Sequence, residues 1–538
     1  MKTNSSLATQ VAHHSAKRFN SSLLLLLISL STLSAANWFG GSVGLGHEQP
    51  YTNLRPFNMS VEDANNQLCP LFLSDDGQYI WTENPVIFSF KDGELQFQTT
   101  IGDSRTILHP QSTKAGTTLR DAYLAAMRQY LPPSGVLPDT LFFIRPQYNT
   151  WIELMYNQNQ TDILRYAHAI VDNGFDPGIL MIDDNWQRYY GNFDFKAERF
   201  SDPKGMIDEL HELGFTVMVW ICPFVSADSP EYRDLERKGY LLQNPNGGTA
   251  VLNWWNGYSA CYDLTNPDAL AHFVSVLKDA QARYGIDGFK FDAGDNNCYA
   301  STSIKAYDTT ATTVDHTTSW AKVGLQFPVN EYRACWKMGG QALVQRLGDK
   351  DYSWEAVQSL IPQMTTAGLL GYAYACPDMI GGGQWASFLG IESGDFDEEL
   401  IVRSAQIHAL MPMMQFSVAP WRILSEENLT IVKKAAALHS QFGAYILACA
   451  RQAAQTGEPI VRSMEYAFPH QGLVNCKDQF MLGDKYLVAP VVEQGAITRT
   501  VYLPKGQWRD ELGKRYRGGK AYTISAPLSR LPYFEKLK

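Results

Sequence analysis

Between residues 38 and 130, short runs that alternate apolar and polar positions, such as QYIWTE, VIFSFKD and LQFQTTI, are separated by Asp-Gly and Lys-Asp-Gly turns. A period of two marks strands with one buried face, and turns of this composition join them into hairpins. A small antiparallel β-sandwich is expected here. From about residue 146 the rhythm changes to strand, loop, helix, strand. Amphipathic helices are expected over 161–173, 204–213 and 266–284, and apolar strands over 178–182, 216–221 and 288–291. The alternation continues through 371–375 and 411–416. Repeated strand-then-helix units over roughly 320 residues predict a (β/α)₈ barrel. The rival, a doubly wound sheet, lacks its glycine-rich dinucleotide turn after the first strand. Beyond about residue 468 short strands and turns return (YLVAPVV, RTVYLPKG), which predicts a second β-sandwich.

The expected organisation is therefore α/β: a TIM barrel over 143–468 between a shortened N-terminal β-sandwich over 37–142 and a C-terminal β-sandwich over 469–538. Ahead of these, Lys17 and Arg18 precede a Leu-rich run over 23–33 and small residues at 34–36. Residues 1–36 read as a cleaved secretory signal, which places the chain in the secretory route. Two alternatives stand beside that reading: an uncleaved membrane anchor, although the run is short of the roughly 20 residues a spanning helix needs, and a truncated sandwich strand.

Composition narrows the function classes. Apolar residues make up 45% of the 538 and charged residues 19%, a globular composition. The net charge of −10 excludes the cationic footprint that nucleic-acid binding needs. Eight cysteines occur singly, without a C-x-x-C pair, and read as buried thiols or one or two disulfides. The 13 Trp, 27 Tyr and 26 Phe exceed what a core requires, although many serve the core, and flat aromatic faces suit sugar rings and nucleobases alike.

In a barrel the chemistry sits where the strands end. Four such ends carry acids: Asp183 and Asp184 before Trp186, Asp292 and Asp295 in GFKFDAGD, Asp349 in GDKDYSW, and Asp378 after Cys376-Pro377. Trp220, Trp354, Trp385, Arg403 and Trp421 fall on the same rim. Paired carboxyl groups among aromatic rings are what glycoside hydrolysis needs, one attacking the anomeric centre and the other donating a proton to the leaving oxygen. Lys290, two residues before Asp292, points to the same side of its strand and is expected to keep that carboxylate ionised. Asp349, in a loop with Tyr352 and Trp354, is expected to have a raised pKa suited to a general acid. Any one of these acids alone is as well explained as a helix cap, and Lys290 as a structural ion pair.

At these residues the sequence resembles glycoside hydrolase family 31. GFKFDAGD is similar to that family's nucleophile strand, and GDKDYSW to its acid/base segment, in which Trp follows Asp by five positions. The resemblance continues through PDMIGG and the stretch from Arg403 to Phe416 to QFMLGDKYLVAPVVEQG, VYLPKGQWRD and APLSRLPYF, and IDDNW, KFDAG, PDMIGG and MQFSVAPWR are most similar to a branch containing an α-galactosidase. It implies Asp292 as nucleophile and Asp349 as acid/base of a retaining α-glycosidase. Asp183, Asp184, Trp220, Lys290, Asp378, Arg403 and Trp421 would line the sugar subsite, with Trp186, Asp295 and Trp354 as further contacts. Two departures are evident: Phe416-Ser417 stands where the commoner family pattern has His, and the N-terminal sandwich is about half the family's usual length.

The expected activity is α-galactosidase on an α-linked oligosaccharide or glycoconjugate, without metal or organic cofactor. α-Glucosidase and α-xylosidase are the neighbouring alternatives. A non-catalytic sugar-binding or secretory-pathway protein on the same barrel is the alternative of another class. The partner is a carbohydrate rather than nucleic acid, and a membrane only if the N-terminal segment is retained.

Overall fold

The structure is a computed structural model that describes residues 36–61, 67–101, 104–300, 302–392 and 394–537. The leader expected over 1–36 lies, but for its last residue, outside the described residues. Among the described residues no helix is long and apolar enough to cross a membrane.

Eight short parallel strands form one sheet: β1 (Gln147–Asn149), β2 (Ile179–Ile182), β3 (Thr216–Ile221), β4 (Gly288–Phe291), β5 (Asn330–Tyr332), β6 (Gln345–Arg346), β7 (Ala375–Cys376) and β8 (Gln415–Phe416). The order is β7-β6-β5-β4-β3-β2-β1-β8. A bridge between Met379 and Gln415 closes the ring, with Ile380 N donating to Gln415 O at 2.8 Å. This is the expected TIM barrel. Helices follow the strands: α1 (Gln160–Asp172) after β1, α2 (Pro203–Glu212) after β2, α3 (Pro267–Tyr284) after β3 and α4 (Thr313–Gly324) after β4. After β6, β7 and β8 come α5 (Trp354–Leu369), α6 (Glu398–Ala409) and α7 (Glu426–Thr456).

Local chemistry sets these boundaries. Asp202-Pro203 and Asn266-Pro267 place a capping side chain before a proline whose fixed φ suits the first helical turn; Asp202 accepts from Gly205 N and Asn266 from Asp268 N. Gly285 closes α3 in the left-handed region at φ 81°, where a side chain would be strained.

Where a helix would join β5 to β6, Cys335–Trp336 instead pairs in parallel with Gln67–Ser74 of the N-terminal sheet. Gln67 fixes that junction by donating to the carbonyls of Arg333 and Arg346, at 2.6 and 2.8 Å. The N-terminal region is two sheets, with strands between Trp38 and Lys114, packed around Phe72, Phe88 and Phe97. Helix Leu119–Tyr130 then leads to the barrel, so the sandwich itself ends before residue 142. Val461–Arg462 already pairs with Phe480–Leu482, so the C-terminal sheet begins ahead of residue 469. All eight cysteines are free thiols, so the disulfides left open by the sequence are not formed.

The barrel interior is partly polar. Gln415 Nε2 donates to Glu331 Oε2 at 2.7 Å and to Gln147 Oε1 at 3.0 Å, and Lys290 and Arg346 are also buried there. Burial of so many polar groups is tolerable only because they pair with one another. Of these, Lys290 and Arg346 also line the pocket above.

Candidate active site

A cavity of about 370 Å³ opens at the C-terminal ends of the strands. Its walls include Asp183, Asp184, Trp220, Lys290, Asp292 and Asp349, brought together from β2, β3, β4 and the loop after β6. The volume lies within the range of small-ligand sites.

Asp292 leaves β4 at the point where Ala293 and Gly294 both take positive φ, 56° and 75°. That turn lifts its carboxylate into the cavity. Trp220 Nε1 donates to Asp292 Oδ2 at 2.7 Å, and Ala293 N to Oδ1 at 3.0 Å. Trp220 is itself held from behind by Trp186, whose Nε1 donates to the Trp220 carbonyl at 2.7 Å. The cation expected beside Asp292 is elsewhere: Lys290 Nζ binds Asp183 Oδ2 at 2.6 Å. Lys290 lies beside Trp220 in the parallel register and reaches across the interior to β2. The cation nearest Asp292 is instead Arg333, with Nε 3.9 Å from Asp292 Oδ1.

Arg333 sits between the two principal carboxylates. Besides Asp292 it contacts Asp349, Nη1 to Oδ2 at 3.4 Å, and Asp295, Nε to Oδ2 at 3.0 Å. The ring of Trp255 covers its guanidinium at 5.1 Å. Asp349 also accepts from Arg346 Nη1 at 2.6 Å, and Asp378 accepts from the same nitrogen at 2.7 Å. Asp378 is completed by the backbone N–H groups of Lys350 and Gly383, at 2.7 and 3.0 Å. Gly383 must lack a side chain, because a Cβ there would stand 2.8 Å from Asp378 Oδ1 and 3.0 Å from Asp349 Oδ1.

These environments separate the carboxyl groups electrically. Burial, then the negative charges of Asp183 and Asp292, push Asp184 up to about 7 despite its hydrogen bond from Tyr190. Burial acts in the same direction on Asp349, but Arg346 and Arg333 outweigh it and hold that carboxyl below the usual range. The expectation of a raised Asp349 pKa is thus corrected, because the two arginines were not foreseen as its neighbours. Among the described residues no group of three or more His, Cys, Asp or Glu side chains could hold a metal ion. The cations that line the pocket are Lys290, Arg333 and Arg346.

Several expected contacts lie outside the pocket. Trp186 is buried against Phe195, and Asp295 is directed to Arg333. Asp378 lies beneath the pocket, acting on it through Arg346. Trp354 donates to Asp397 Oδ2 at 2.9 Å, ahead of α6. Arg403 donates to the carbonyls of Ala526 at 2.9 Å and Ala496 at 3.1 Å, so it fastens the C-terminal domain to α6. Trp421 packs on Tyr166 and Phe175 outside the strands. Phe416, at the position of the missing His, is buried against Tyr148. Conversely, Trp151, Tyr156, Trp255, Arg333, Arg346 and Gln384 line the cavity unforeseen. An arginine directly after the strand NEY and another ending QR were the available signals.

The arrangement is a pocket at the mouth of the barrel with two carboxylates on either side of a guanidinium. Residues 146–448 match the TIM-barrel domain of glycosyl hydrolases family 31, and residues 457–537 match that family's C-terminal domain. The chain belongs to glycoside hydrolase family 31. Among its relatives, the myogenesis-regulating glycosidase of Mus musculus is 32% identical over 456 residues, 82% of this chain and 61% of the relative. An alpha-xylosidase of Emericella nidulans is 26% identical over 424 residues, 72% of this chain and 51% of the relative. The chain thus spans about half to three-fifths of the length of these relatives. A Flavobacterium johnsoniae dextranase of the same family, solved with glucose, shares the fold with a TM-score of 0.78 at 21% identity, over 93% of this chain and 65% of that one.

Proposed function

We propose that the chain is a retaining α-glycosidase, with Asp292 as nucleophile, Asp349 as acid/base and α-galactosides as substrates. The observation that carries this reading is the placement of Asp292 and Asp349 on either side of Arg333 in one pocket. In the first step an Asp292 oxygen bonds the anomeric carbon while the bond to the leaving oxygen breaks and that oxygen takes the Asp349 proton. In the second step Asp349 removes a proton from water, which attacks the same carbon and releases Asp292. The bond from Trp220 fixes the orientation of the Asp292 carboxylate for attack. Asp184, close to half-neutral at pH 7, can both donate to and accept from a sugar hydroxyl.

Support for galactose is the likeness of IDDNW, KFDAG, PDMIGG and MQFSVAPWR to the family branch that contains an α-galactosidase. Kinetics on 4-nitrophenyl α-galactoside, α-glucoside and α-xyloside test it, because buried polar contacts to one hydroxyl discriminate strongly between epimers. Preference for glucoside or xyloside would overturn the sugar assignment. Asp292→Asn should abolish turnover of whichever glycoside is accepted, and retained activity in that variant would overturn the mechanism.

A further inference from the structure

Strands β5 and β6 meet in register at one pair of residues, Tyr332 and Gln345. Each strand runs directly into an arginine of the site: Arg333 follows β5, and Arg346 ends β6. Beyond their single pair the two strands are joined by a side chain from another domain. Gln67 Nε2 donates to the Arg333 carbonyl at 2.6 Å and to the Arg346 carbonyl at 2.8 Å. Two carbonyls can be served only by the NH₂ end of the amide, which fixes its orientation. Gln67 is fully buried, and its own strand is held in turn. Val43 N donates to the Gln67 carbonyl at 3.1 Å, and the Tyr372 hydroxyl to the Leu68 carbonyl at 2.7 Å.

The two residues so anchored are those whose guanidinium groups meet at Asp349, Arg346 at 2.6 Å and Arg333 at 3.4 Å. Among the described residues, none of the N-terminal sheets lines the pocket, so Gln67 acts on the site through the backbone it holds. A tilt of the chain at either arginine is carried along the whole side chain to its guanidinium. Reacting groups tolerate only about 0.5 Å of such displacement. We propose that Gln67 is a positioning residue for glycoside hydrolysis: its carboxamide fixes the separation of Arg333 and Arg346 and, through them, the placement of the Asp349 carboxyl at the leaving oxygen. The inference rests on Asp349 being the acid/base. The N-terminal sheet, braced against β5 and β6 where a barrel helix would otherwise run, thereby takes part in the proton-transfer step without touching the sugar.

The test separates positioning from support of the fold. Gln67→Met removes both donors, and Gln67→Asn keeps an amide too short to serve both carbonyls. Phe88→Leu weakens the core of the N-terminal sheets away from this junction and serves as the control. The measured quantity is the ratio of kcat/KM for a disaccharide of the accepted α-linked sugar to kcat/KM for its 4-nitrophenyl glycoside, whose leaving group needs less protonation. Both Gln67 variants should lower this ratio, Gln67→Met by about tenfold, whereas Phe88→Leu should lower the unfolding midpoint and leave the ratio at the wild-type value. In an Asp349→Ala background, Gln67→Asn should change turnover of the nitrophenyl glycoside by less than about twofold, because the group it positions is gone. An unchanged ratio in Gln67→Asn, an equal fall in Phe88→Leu, or a further loss in the Asp349→Ala background overturns the positioning role alone. A wild-type chain that turns over neither substrate overturns the catalytic reading and this inference together.

Discussion

Arg346 Nη1 stands 2.6 Å from Asp349 Oδ1, and the same guanidinium is flanked on its other edge by Glu331, Nε to Oε1 at 3.4 Å. The barrel interior thereby reaches the proposed proton donor through a single side chain. Glu331 is buried on β5, accepts from Gln415 and faces Lys290 as well as Arg346. The charges around Asp349 are Arg346, Arg333 and Lys290, with Asp378 sharing Arg346. Removing the Glu331 charge leaves Arg346 less compensated, which favours the ionised form of Asp349. Glu331→Gln should therefore hold Asp349 still more firmly in its ionised form and lower kcat/KM for an unactivated α-glycoside more than for the 4-nitrophenyl glycoside, whose leaving group needs less protonation. An unchanged ratio of the two would show that Glu331 has no electrical effect on the site.

Asp184 links stability to pH in the opposite sense from most carboxylates. Its pKa is raised from 3.8 to about 7 on folding, so its neutral form fits the folded state and the unfolded chain prefers the charged one. That stability is fully present below about pH 4 and is lost as pH rises to 7. Asp184→Asn, which keeps the shape without the charge, should gain roughly 2–4 kcal/mol at pH 8 and little at pH 4. Urea unfolding at the two pH values checks this, and an equal effect at both would contradict it.

His408 and His439 give a second pH dependence, at acid. Both rings are buried; burial, with His439 nearby, pushes His408 down to about 3, and burial pushes His439 down to about 4. Unfolded histidine titrates near 6.5, so the unfolded chain takes up protons that the folded one refuses. Stability should be full above about pH 6.5 and fall as pH drops through 5 towards 4. His408→Leu should reduce that slope, as measured by denaturant midpoints between pH 7 and pH 5.

Arg403 separates a binding role from a structural one. Its guanidinium serves four carbonyls of the C-terminal domain, those of Ala496, Ala526, Pro527 and Arg530. Arg403→Met should cost about 3–5 kcal/mol in stability by leaving these acceptors unpaired. The inhibition constant of the free sugar product should be unchanged. A variant of normal stability with weakened product binding would restore Arg403 to the subsite.

The parts of this molecule that were legible in the sequence are those set by short-range chemistry. Period-two runs gave the flanking sheets, and helical periodicity placed the starts of α2 and α3 within a residue of their observed positions. Acids at strand ends pointed to the right rim, because a parallel barrel brings all its strand ends together. What remained hidden depends on contacts between strands far apart in the chain. Lys290 binds Asp183, 107 residues away, although Asp292 is its neighbour in sequence. Arg333 and Arg346 follow or end strands too short to show a pattern, so nothing marked them as partners of Asp292 and Asp349. Arg403 and Trp421 share sequence neighbourhoods with the rim but face outward, because a helix offers several faces and the sequence alone does not say which one meets the pocket.

A nucleophilic Asp292 forms a covalent bond to the sugar in the first step. A 5-fluoro α-glycosyl fluoride of the accepted sugar forms the glycosyl-enzyme but slows its hydrolysis, and peptide mass spectrometry then reports the labelled residue. One added fluoro-glycosyl group is expected on the peptide containing GFKFDAGD, located at Asp292 and absent in Asp292→Asn. Label on Asp184 or Asp349, or turnover of the reagent by Asp292→Asn, would contradict it.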